Sequence, residues 1–454
     1  MRNLKIFVSS VFLPEKQYII NTLFGQFLGV PFSIVPTNNS NPFFRIELPN
    51  KSEIIISDSF FSGFTEHKGY LIKEAIPDRA KYLHSDFSPE NDLPFLFGND
   101  VFKLEENGKG NTILCGADII ASAFFFLTRW EEHVLPQRDK HGRFPCKYSF
   151  IQRNNLESRA LVNEYVEFLW NILQKLSYTG IRKSRKYKVV PTHDVDNFMR
   201  FDTYLKSAKT LLSDLIIRRN TGLFLKDLKL ILKIRSDKQK DPFDTFDYLM
   251  DESEKIACVS EFYFIPAIKG EYDFQYSIND DRLAKTIKNI AKRGHKIGMH
   301  ASYNVLKKPM VFLAELKRLK NIYPEIRSNR NHFLRFEVPA SWQVMADNNF
   351  TKSSNMAFSN KAGFRSSCCY PYQVFNILSR KVLDLIEQPL IMMEAALVKD
   401  KVNPDDFFLQ AIELANEVKK YNGEYVFLWH NSNFNLPEWE AFAKGYSGFL
   451  SAIK

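Results

Sequence analysis

The sequence lacks the features that mark several specialised classes of protein. Its 454 residues contain only five cysteines, an odd number without CxxC spacing, which argues against a disulfide framework and a zinc ribbon. The apolar N-terminal run is too short for a membrane span, and Pro14, Glu15 and Lys16 interrupt it before any cleavage site. No internal repeat or low-complexity tract stands out. We therefore expect a cytoplasmic protein in a reducing compartment.

The composition that remains is that of an ordinary globular chain. Hydrophobic residues make up 45% and charged residues 25%, so several large cores can form. The length suggests two or three domains. The 41 Phe and 19 Tyr are assigned mainly to core packing, with some stacking surface for sugars or bases as the alternative.

Three regions differ in pattern along the chain. Strand-like runs and two apolar helical segments predict a mixed α/β N-terminal domain over residues 1–176. Residues 177–188 are polar and basic and contain Gly180, which predicts a linker. In residues 189–454, short apolar runs alternate with helical stretches, as in parallel α/β proteins.

The third region carries polar residues at the end of nearly every predicted strand. Barrels of βα units place their chemistry at that end. We therefore predict a distorted (β/α) barrel of about seven strands. The predicted strands are YKVVPTHD, SEFYFIPAI, KIGMHAS, NHFLRFEV, FTKSSNM, EQPLIMMEA and YVFLWHNS.

Most of the excess positive charge lies in one segment. The chain has a net charge of +10, and residues 205–240 hold ten Lys/Arg against three Asp. One interpretation is a surface that contacts a membrane peripherally, attracted to anionic lipid or to a carrier-linked substrate. The other is a pair of amphipathic helices with solvated basic faces. Because this basic charge is not interleaved with aromatic residues, a nucleic-acid binder is disfavoured.

The strongest local signal for chemistry is the pair Asp194 and Asp196, directly after the strand KVVP. Two carboxylates at i and i+2 can divide the work, one holding a cation and the other handling a proton. His300 ends the third predicted strand and is placed to be a metal ligand, whereas His295 is interpreted as a structural or supporting histidine.

Three further residues at predicted strand ends suit acid–base chemistry. Arg335 can clamp a carboxylate and so hold a catalytic Asp ionised, although a structural ion pair explains it equally well. His430 ends the last strand and suits a general acid, with Glu394 as its orienting carboxylate. The adjacent Cys368 and Cys369 match no thiol motif.

Together the motifs resemble the polysaccharide deacetylase superfamily, carbohydrate esterase family four, in a bacterial branch with an uncharacterised N-terminal domain. The matching motifs are THDVD, GHKIGMHASYN, HFLRF, GFRSS and LWHNS, all in order between about Lys188 and Phe434. Upstream, the helix VNEYVEFLWN and the stretch ASAFFFLTRWEEHVLPQRDKHGRFP resemble the accompanying domain, which implies no function.

The resemblance implies a barrel that removes acetyl groups from N-acetylated sugars with a divalent metal, usually zinc. Carried over by position, Asp194 is the general base, Asp196 and His300 are metal ligands, Arg335 supports the base and His430 is the general acid.

One position departs from the family pattern. The family has a second histidine four residues after the first, and Asn304 stands there in this chain. An amide is a poorer zinc ligand than imidazole, so the third ligand is left open between Asn304, His332 and extra water. Substrate contacts are expected from His332, Tyr303, Arg365 and Trp429.

These observations favour a metal-dependent hydrolase that removes acetyl groups from an N-acetylated sugar or polysaccharide precursor, free or carrier-linked. The alternative is a barrel weakened in catalysis that acts as a glycan-binding protein. The two hypotheses differ in whether metal-loaded protein releases acetate.

Overall fold

A computed structural model describes residues 3–37, 42–106, 108, 110–268, 270, 272–273, 276–398 and 403–454. The strands are β1 (Leu4–Ser9), β2 (Phe32–Thr37), β3 (Phe43–Glu47), β4 (Glu53–Ser57), β5 (Lys81–Leu83), β6 (Leu93–Phe95), β7 (Gly98–Glu105), β8 (Thr112–Ala117), β9 (Lys188–Val195), β10 (Glu261–Phe264), β11 (Lys296–Ala301), β12 (Ser328–Asn331), β13 (Lys352–Ser353), β14 (Tyr372–Asn376), β15 (Lys381–Glu387), β16 (Met392–Met393) and β17 (Glu424–Leu428). The α-helices are α1 (Leu13–Ile20), α2 (Ile119–Thr128), α3 (Trp130–Val134), α4 (Phe150–Arg153), α5 (Leu161–Lys175), α6 (Tyr204–Ile216), α7 (Thr221–Arg235), α8 (Phe246–Lys255), α9 (Asp281–Lys292), α10 (Pro309–Ile322), α11 (Ala340–Asp347), α12 (Glu394–Val398), α13 (Pro404–Lys420) and α14 (Glu440–Ile453).

The chain forms two compact units, each assembled from separate segments of the sequence. The first unit contains Met1–Lys188, Phe333–Met392 and Glu413–Val426. The second contains Val189–His332, Met393–Ile412 and Phe427–Lys454. The sequence pattern placed residues 189–454 in one domain, whereas contacts group two of its segments with the N-terminal residues.

A six-stranded sheet in the order β2-β1-β3-β4-β8-β7 forms the centre of the N-terminal part of the first unit. Helix α2 packs with every residue buried because its sequence, IIASAFFFLT, is apolar around the whole circumference. Its N-cap is Asp118, whose side chain accepts a hydrogen bond from the Ala121 amide at 2.9 Å. The mixed α/β class predicted for this region is confirmed.

The segment predicted as a linker is anchored within the first unit. Arg182 donates two hydrogen bonds to the Glu167 carboxylate, at 2.7 and 2.6 Å. Arg185 donates to the backbone carbonyls of Phe27 and Gln26. Arg182 and Arg185 of the predicted linker therefore act as hydrogen-bond donors within the first unit.

Residues 333–392 belong to the first unit because buried polar contacts hold them there. Arg365 forms a bidentate pair with Glu132, with the Nε bond at 2.9 Å, and both side chains are buried. The Cys369 amide donates to Asn163 Oδ1 at 3.0 Å. Buried charge pairs of this kind are costly to break, so they define which segments pack together.

The second unit is built on parallel strands in the order β12-β11-β10-β9. Helices α8, α9 and α10 connect them, which confirms the predicted α/β pattern. Near β9, the Trp429 amide donates to the Thr192 carbonyl at 2.9 Å, so the chain leaving β17 runs beside it. Among the described strands, the pairings do not close the sheet into the predicted barrel.

One strand is displaced from its predicted position. The pattern predicts a strand over NHFLRFEV, residues 331–338, whereas β12 spans Ser328–Asn331. The chain turns immediately afterwards, with Phe333 at φ 61°. All four residues of β12 are polar yet buried, which is why hydrophobic periodicity does not reveal it.

None of the helices in the described ranges combines the length and apolarity needed to cross a membrane. The five cysteines are free thiols, as expected from their spacing.

Candidate active site and metal centre

The carboxyl ends of three strands in the second unit bring the candidate metal ligands together. Asp196 directly follows β9, His300 lies in β11 and His332 directly follows β12. One ligand atom from each of the three side chains lies within 4.8 Å of the others. Because parallel strands end at the same edge of a sheet, residues far apart in sequence meet at this point.

The three side chains form a carboxylate–imidazole cluster. Asp196 Oδ1 lies 3.2 Å from His300 Nε2, and Asp196 Oδ2 lies 3.5 Å from His332 Nε2. Both histidines are buried, at 1% and 4% exposure. Zinc in proteins is held by this combination of imidazole nitrogen and carboxylate oxygen.

Hydrogen bonds fix the orientation of both rings. His300 Nδ1 lies 2.9 Å from the Arg330 carbonyl oxygen, and His332 Nδ1 lies 2.8 Å from Asp273 Oδ1. Each Nδ1 therefore donates a proton to an oxygen, and each Nε2 lies toward Asp196. Metal-binding histidines in proteins are held in the same way.

The donor set fits a divalent cation. Within the part of the chain that the structure describes, Asp196 Oδ1 is buried and accepts no hydrogen bond. The Nε2 of the His300 ring lies 3.2 Å from this oxygen. Burial alone would lower the pKa of His332. The charges of Asp196 and Asp273 outweigh burial and raise this pKa to about 9. The negative potential that favours a proton there also favours a metal ion.

The cluster bears on the third ligand, which the sequence left open. His332 joins Asp196 and His300, although the sequence pattern assigned it to substrate contact. Asn304 points its Nδ2 at Asp273 Oδ2, 3.5 Å away. The imidazole missing at position 304 is therefore replaced in space by one from the end of a neighbouring strand.

Asp194 lies beside the cluster and is held by an arginine. Its Oδ2 is 3.7 Å from His300 Nε2, and its Oδ1 accepts a hydrogen bond from Arg330 Nη1 at 3.1 Å. Arg330 is fully buried and also donates to Thr192 Oγ1 at 2.7 Å. The Arg330 guanidinium lies over the Tyr263 ring, 4.6 Å from its centre. A charge-assisted hydrogen bond from a buried arginine fixes the orientation of the carboxylate.

The arginine predicted for this role was Arg335, and its role stays a prediction. Arg335 belongs to the first unit, where its Nε donates to the His141 carbonyl at 2.6 Å. Arg330, which donates to Asp194, lies in β12, before the motif from which Arg335 was predicted.

His430 and Glu394 form the pair that strand ends predicted. His430 Nδ1 lies 2.5 Å from Glu394 Oε1, which also accepts from the His430 amide and from Asn433 Nδ2, both at 2.9 Å. His430 Nε2 lies 3.5 Å from Asp196 Oδ2. Burial opposes the imidazolium, but the Glu394 charge and hydrogen bond outweigh it and raise the pKa of His430 to about 10.

The other predicted substrate-binding residues divide into three cases. Trp429 is fully buried among aromatic rings and donates to the Asn433 carbonyl at 3.3 Å, so it cannot contact substrate. Arg365 is committed to its ion pair with Glu132 in the first unit. Tyr303 is half-buried and lies 4.6 Å from the Tyr272 ring, where contact with a ligand stays a prediction.

Two residues of the site were missed in the sequence. Arg330 lies in a run without apolar residues, and nothing in the pattern marks it. Asp273 lies in a loop after β10, where an acidic residue following a strand is a weak signal that could have been followed. The side-chain Oδ1 of Asp273 also accepts a hydrogen bond from the Tyr303 amide at 2.6 Å, a contact that only the tertiary structure shows.

Comparisons with known proteins give limited further information. A family model described as a family of unknown function (DUF7033) matches residues 4–178. No curated protein matches the chain. A solved structure named "putative polysaccharide deacetylase from Mycobacterium smegmatis" is 14% identical, with a TM-score of 0.38, covering 60% of this chain and 85% of the other. Polysaccharide deacetylase Bc1974 from Bacillus cereus is 12% identical, with a TM-score of 0.27, covering 59% and 88%.

Proposed function

We propose that the chain is a metal-dependent hydrolase that removes an acetyl group from an N-acetylated sugar or polysaccharide precursor. The observation that carries the proposal is the grouping of Asp194 and His430 around the Asp196 carboxylate, which itself faces two imidazoles. A proton acceptor, a proton donor and a cation site within one cluster are the parts that amide hydrolysis needs. The resemblance of the motifs to polysaccharide deacetylases supports the choice of an acetylated sugar.

The residues that would hold the cation are Asp196, His300 and His332, and zinc suits their donor atoms. When bound, such a cation polarises the amide carbonyl and makes a water molecule more acidic. Asp273 and the Arg330 carbonyl keep the two imidazoles aimed at it.

The remaining residues move the protons. Asp194 removes a proton from the attacking water, and the hydrogen bond from Arg330 Nη1 holds the Asp194 carboxylate in position for that role. Water adds to the acetyl carbon, and the bond between that carbon and the amide nitrogen breaks. His430 gives its Nε2 proton to the leaving amine, since its Nδ1 is committed to Glu394. The products are acetate and the free amino sugar.

The test separates metal binding from turnover. Purified protein is analysed for metal content, and acetate release is measured on N-acetylated oligosaccharides and on O-acetylated ones. We expect Asp196→Ala and His300→Ala to lose the metal, and Asp194→Asn to keep it while turnover falls roughly 10²- to 10⁴-fold.

His295→Gln is the matched control. His295 is buried just before β11 and accepts a hydrogen bond from the Ser260 amide at 3.0 Å, a role that glutamine can take over. It should keep both metal and activity. Metal-loaded protein that releases no acetate from any saccharide but binds one would favour the glycan-binding alternative. Equal metal loss in the Asp194 and Asp196 variants would refute the division of roles.

A further inference from the structure

Helices α6 and α7 form a hairpin in the second unit. Its polarity is inverted relative to an ordinary surface helix, because polar side chains are buried and large apolar side chains are exposed. The buried positions on it include Ser207, Asp214 and Asp227, at 5%, 0% and 1% exposure. Large apolar side chains lie on the outside instead, each more than half exposed. They are Leu205, Leu212, Ile216, Ile217, Leu225 and Leu232. Six large apolar side chains exposed on one helical hairpin indicate a contact surface.

Each of these buried polar side chains has a partner within the second unit. Arg218 pairs with Asp214 at 3.0 Å, and Arg200 pairs with Asp227 at 2.6 Å. Arg235 donates to Ser207 Oγ at 3.2 Å. The inverted arrangement is therefore a stable packing in its own right, and the apolar exterior is left for another surface.

The exposed charge on the hairpin has one sign. Residues 204–235, all of them described, contain eight Lys/Arg and two Asp, and both Asp are buried. Lys209, Lys229 and Lys233 are exposed among the apolar side chains. The outer surface thus presents leucine and isoleucine side chains together with uncompensated positive charge.

We propose that this hairpin docks on the surface of a membrane that contains anionic lipid. Acyl chains can cover the apolar side chains while anionic headgroups pair with the cations. A second copy of the chain would bring one positive hairpin against another, which costs free energy. A nucleic acid would pair with the cations but leave the apolar side chains in water. The helices have 13 and 15 residues, which suits the interface and not a span.

Docking would bring the candidate active site to the lipid surface. The chain leaves β9 beside Asp196, and α6 begins at Tyr204. Arg200, in the connecting loop, joins that loop to α7 through its pair with Asp227. The docking surface stands on its own geometry and does not depend on the proposed hydrolysis.

The full chain is tested by co-sedimentation with vesicles of phosphatidylcholine containing about 30% phosphatidylglycerol, and with pure phosphatidylcholine vesicles. We expect binding only to the anionic vesicles, and weaker binding at high salt. Lys229→Gln with Lys233→Gln should weaken binding about 25-fold, at about fivefold per cation. Ile216→Ser with Ile217→Ser should weaken it at least tenfold at unchanged charge.

The matched control is Met310→Ser with Leu409→Ser, which removes two apolar side chains exposed by 77% and 56% outside the hairpin. It should bind vesicles as the unaltered chain does. Circular dichroism checks that the variants fold. We expect them to fold because the substituted side chains are exposed. The proposal is overturned if the chain does not bind anionic vesicles, or if the hairpin variants bind them as well as the control does. It is also overturned if the hairpin substitutions change binding to duplex DNA or self-association and leave vesicle binding unchanged.

Discussion

Replacing Asp273 by asparagine tests whether His332 is a metal ligand that depends on its carboxylate partner. Asp273 is buried and accepts hydrogen bonds from His332 Nδ1 at 2.8 Å and from the Tyr303 amide at 2.6 Å. Asparagine has the same shape, and its Oδ1 can accept both bonds, so the local structure should persist. What is lost is the negative charge that makes the imidazole a stronger donor. Loss of such a partner weakens metal affinity roughly 10- to 100-fold, or about 1.4–2.8 kcal/mol.

The assay is a competition titration of zinc against a chromophoric chelator, with the unaltered chain, Asp273→Asn and His332→Ala side by side. His332→Ala should weaken binding more than Asp273→Asn does, because it removes the ligand itself. Glu261→Gln is the control, since Glu261 is a buried carboxylate on β10 that accepts from Ser328 Oγ, away from the cluster. Zinc affinity of Asp273→Asn within twofold of the unaltered chain would show that His332 does not bind the metal.

Two further predictions concern acid catalysis and stability. Glu394→Gln removes the carboxylate that stabilises the His430 imidazolium, so the pKa of His430 falls from its raised value of about 10. A general acid works only while it is protonated, so the basic limb of the pH–rate profile should move to lower pH while the metal content stays unchanged. A basic limb that does not move would show that His430 is not the general acid. Lys16→Met leaves Asp58 buried without its partner at 2.6 Å and should lower the free energy of unfolding by about 3–5 kcal/mol. Urea titration measures this, and Lys16→Met with Asp58→Asn should recover most of the loss, whereas no recovery would mean that packing of the lysine stem dominates.

Residues that follow strongly apolar strands could be located from the sequence. Asp194, Asp196, His300 and His430 each lie at the end of a run of buried apolar residues, and such runs predict strands by themselves. Since parallel strands end at one edge, the meeting of these four side chains followed from the pattern. The hydrogen bond between His430 and Glu394 followed for the same reason and is present.

The roles of Arg330, His332 and Asp273 could not be derived in this way. Strand β12 is wholly polar, and its burial comes from the neighbours it pairs with, so no local property of SNRN marks it as a strand. The predicted strand lay a few residues later in the chain, so the pattern marked Arg335 and did not mark Arg330. The partner of His332 is a carboxylate 59 positions away, and only packing decides which distant loop reaches it.

Local sequence determined where strands end and which chemical groups stand at those ends, because hydrophobic burial is periodic along the chain. Only the tertiary structure decided which segments share a core and which face of α6 and α7 is outermost. Residues 333–392 join the first unit through buried pairs such as Arg365 with Glu132, and composition does not encode such a choice of partner. The hairpin is the clearest case: its pattern predicts amphipathic helices, but the direction of the apolar face depends on contacts such as the ion pair between Arg200 and Asp227, which are 27 positions apart.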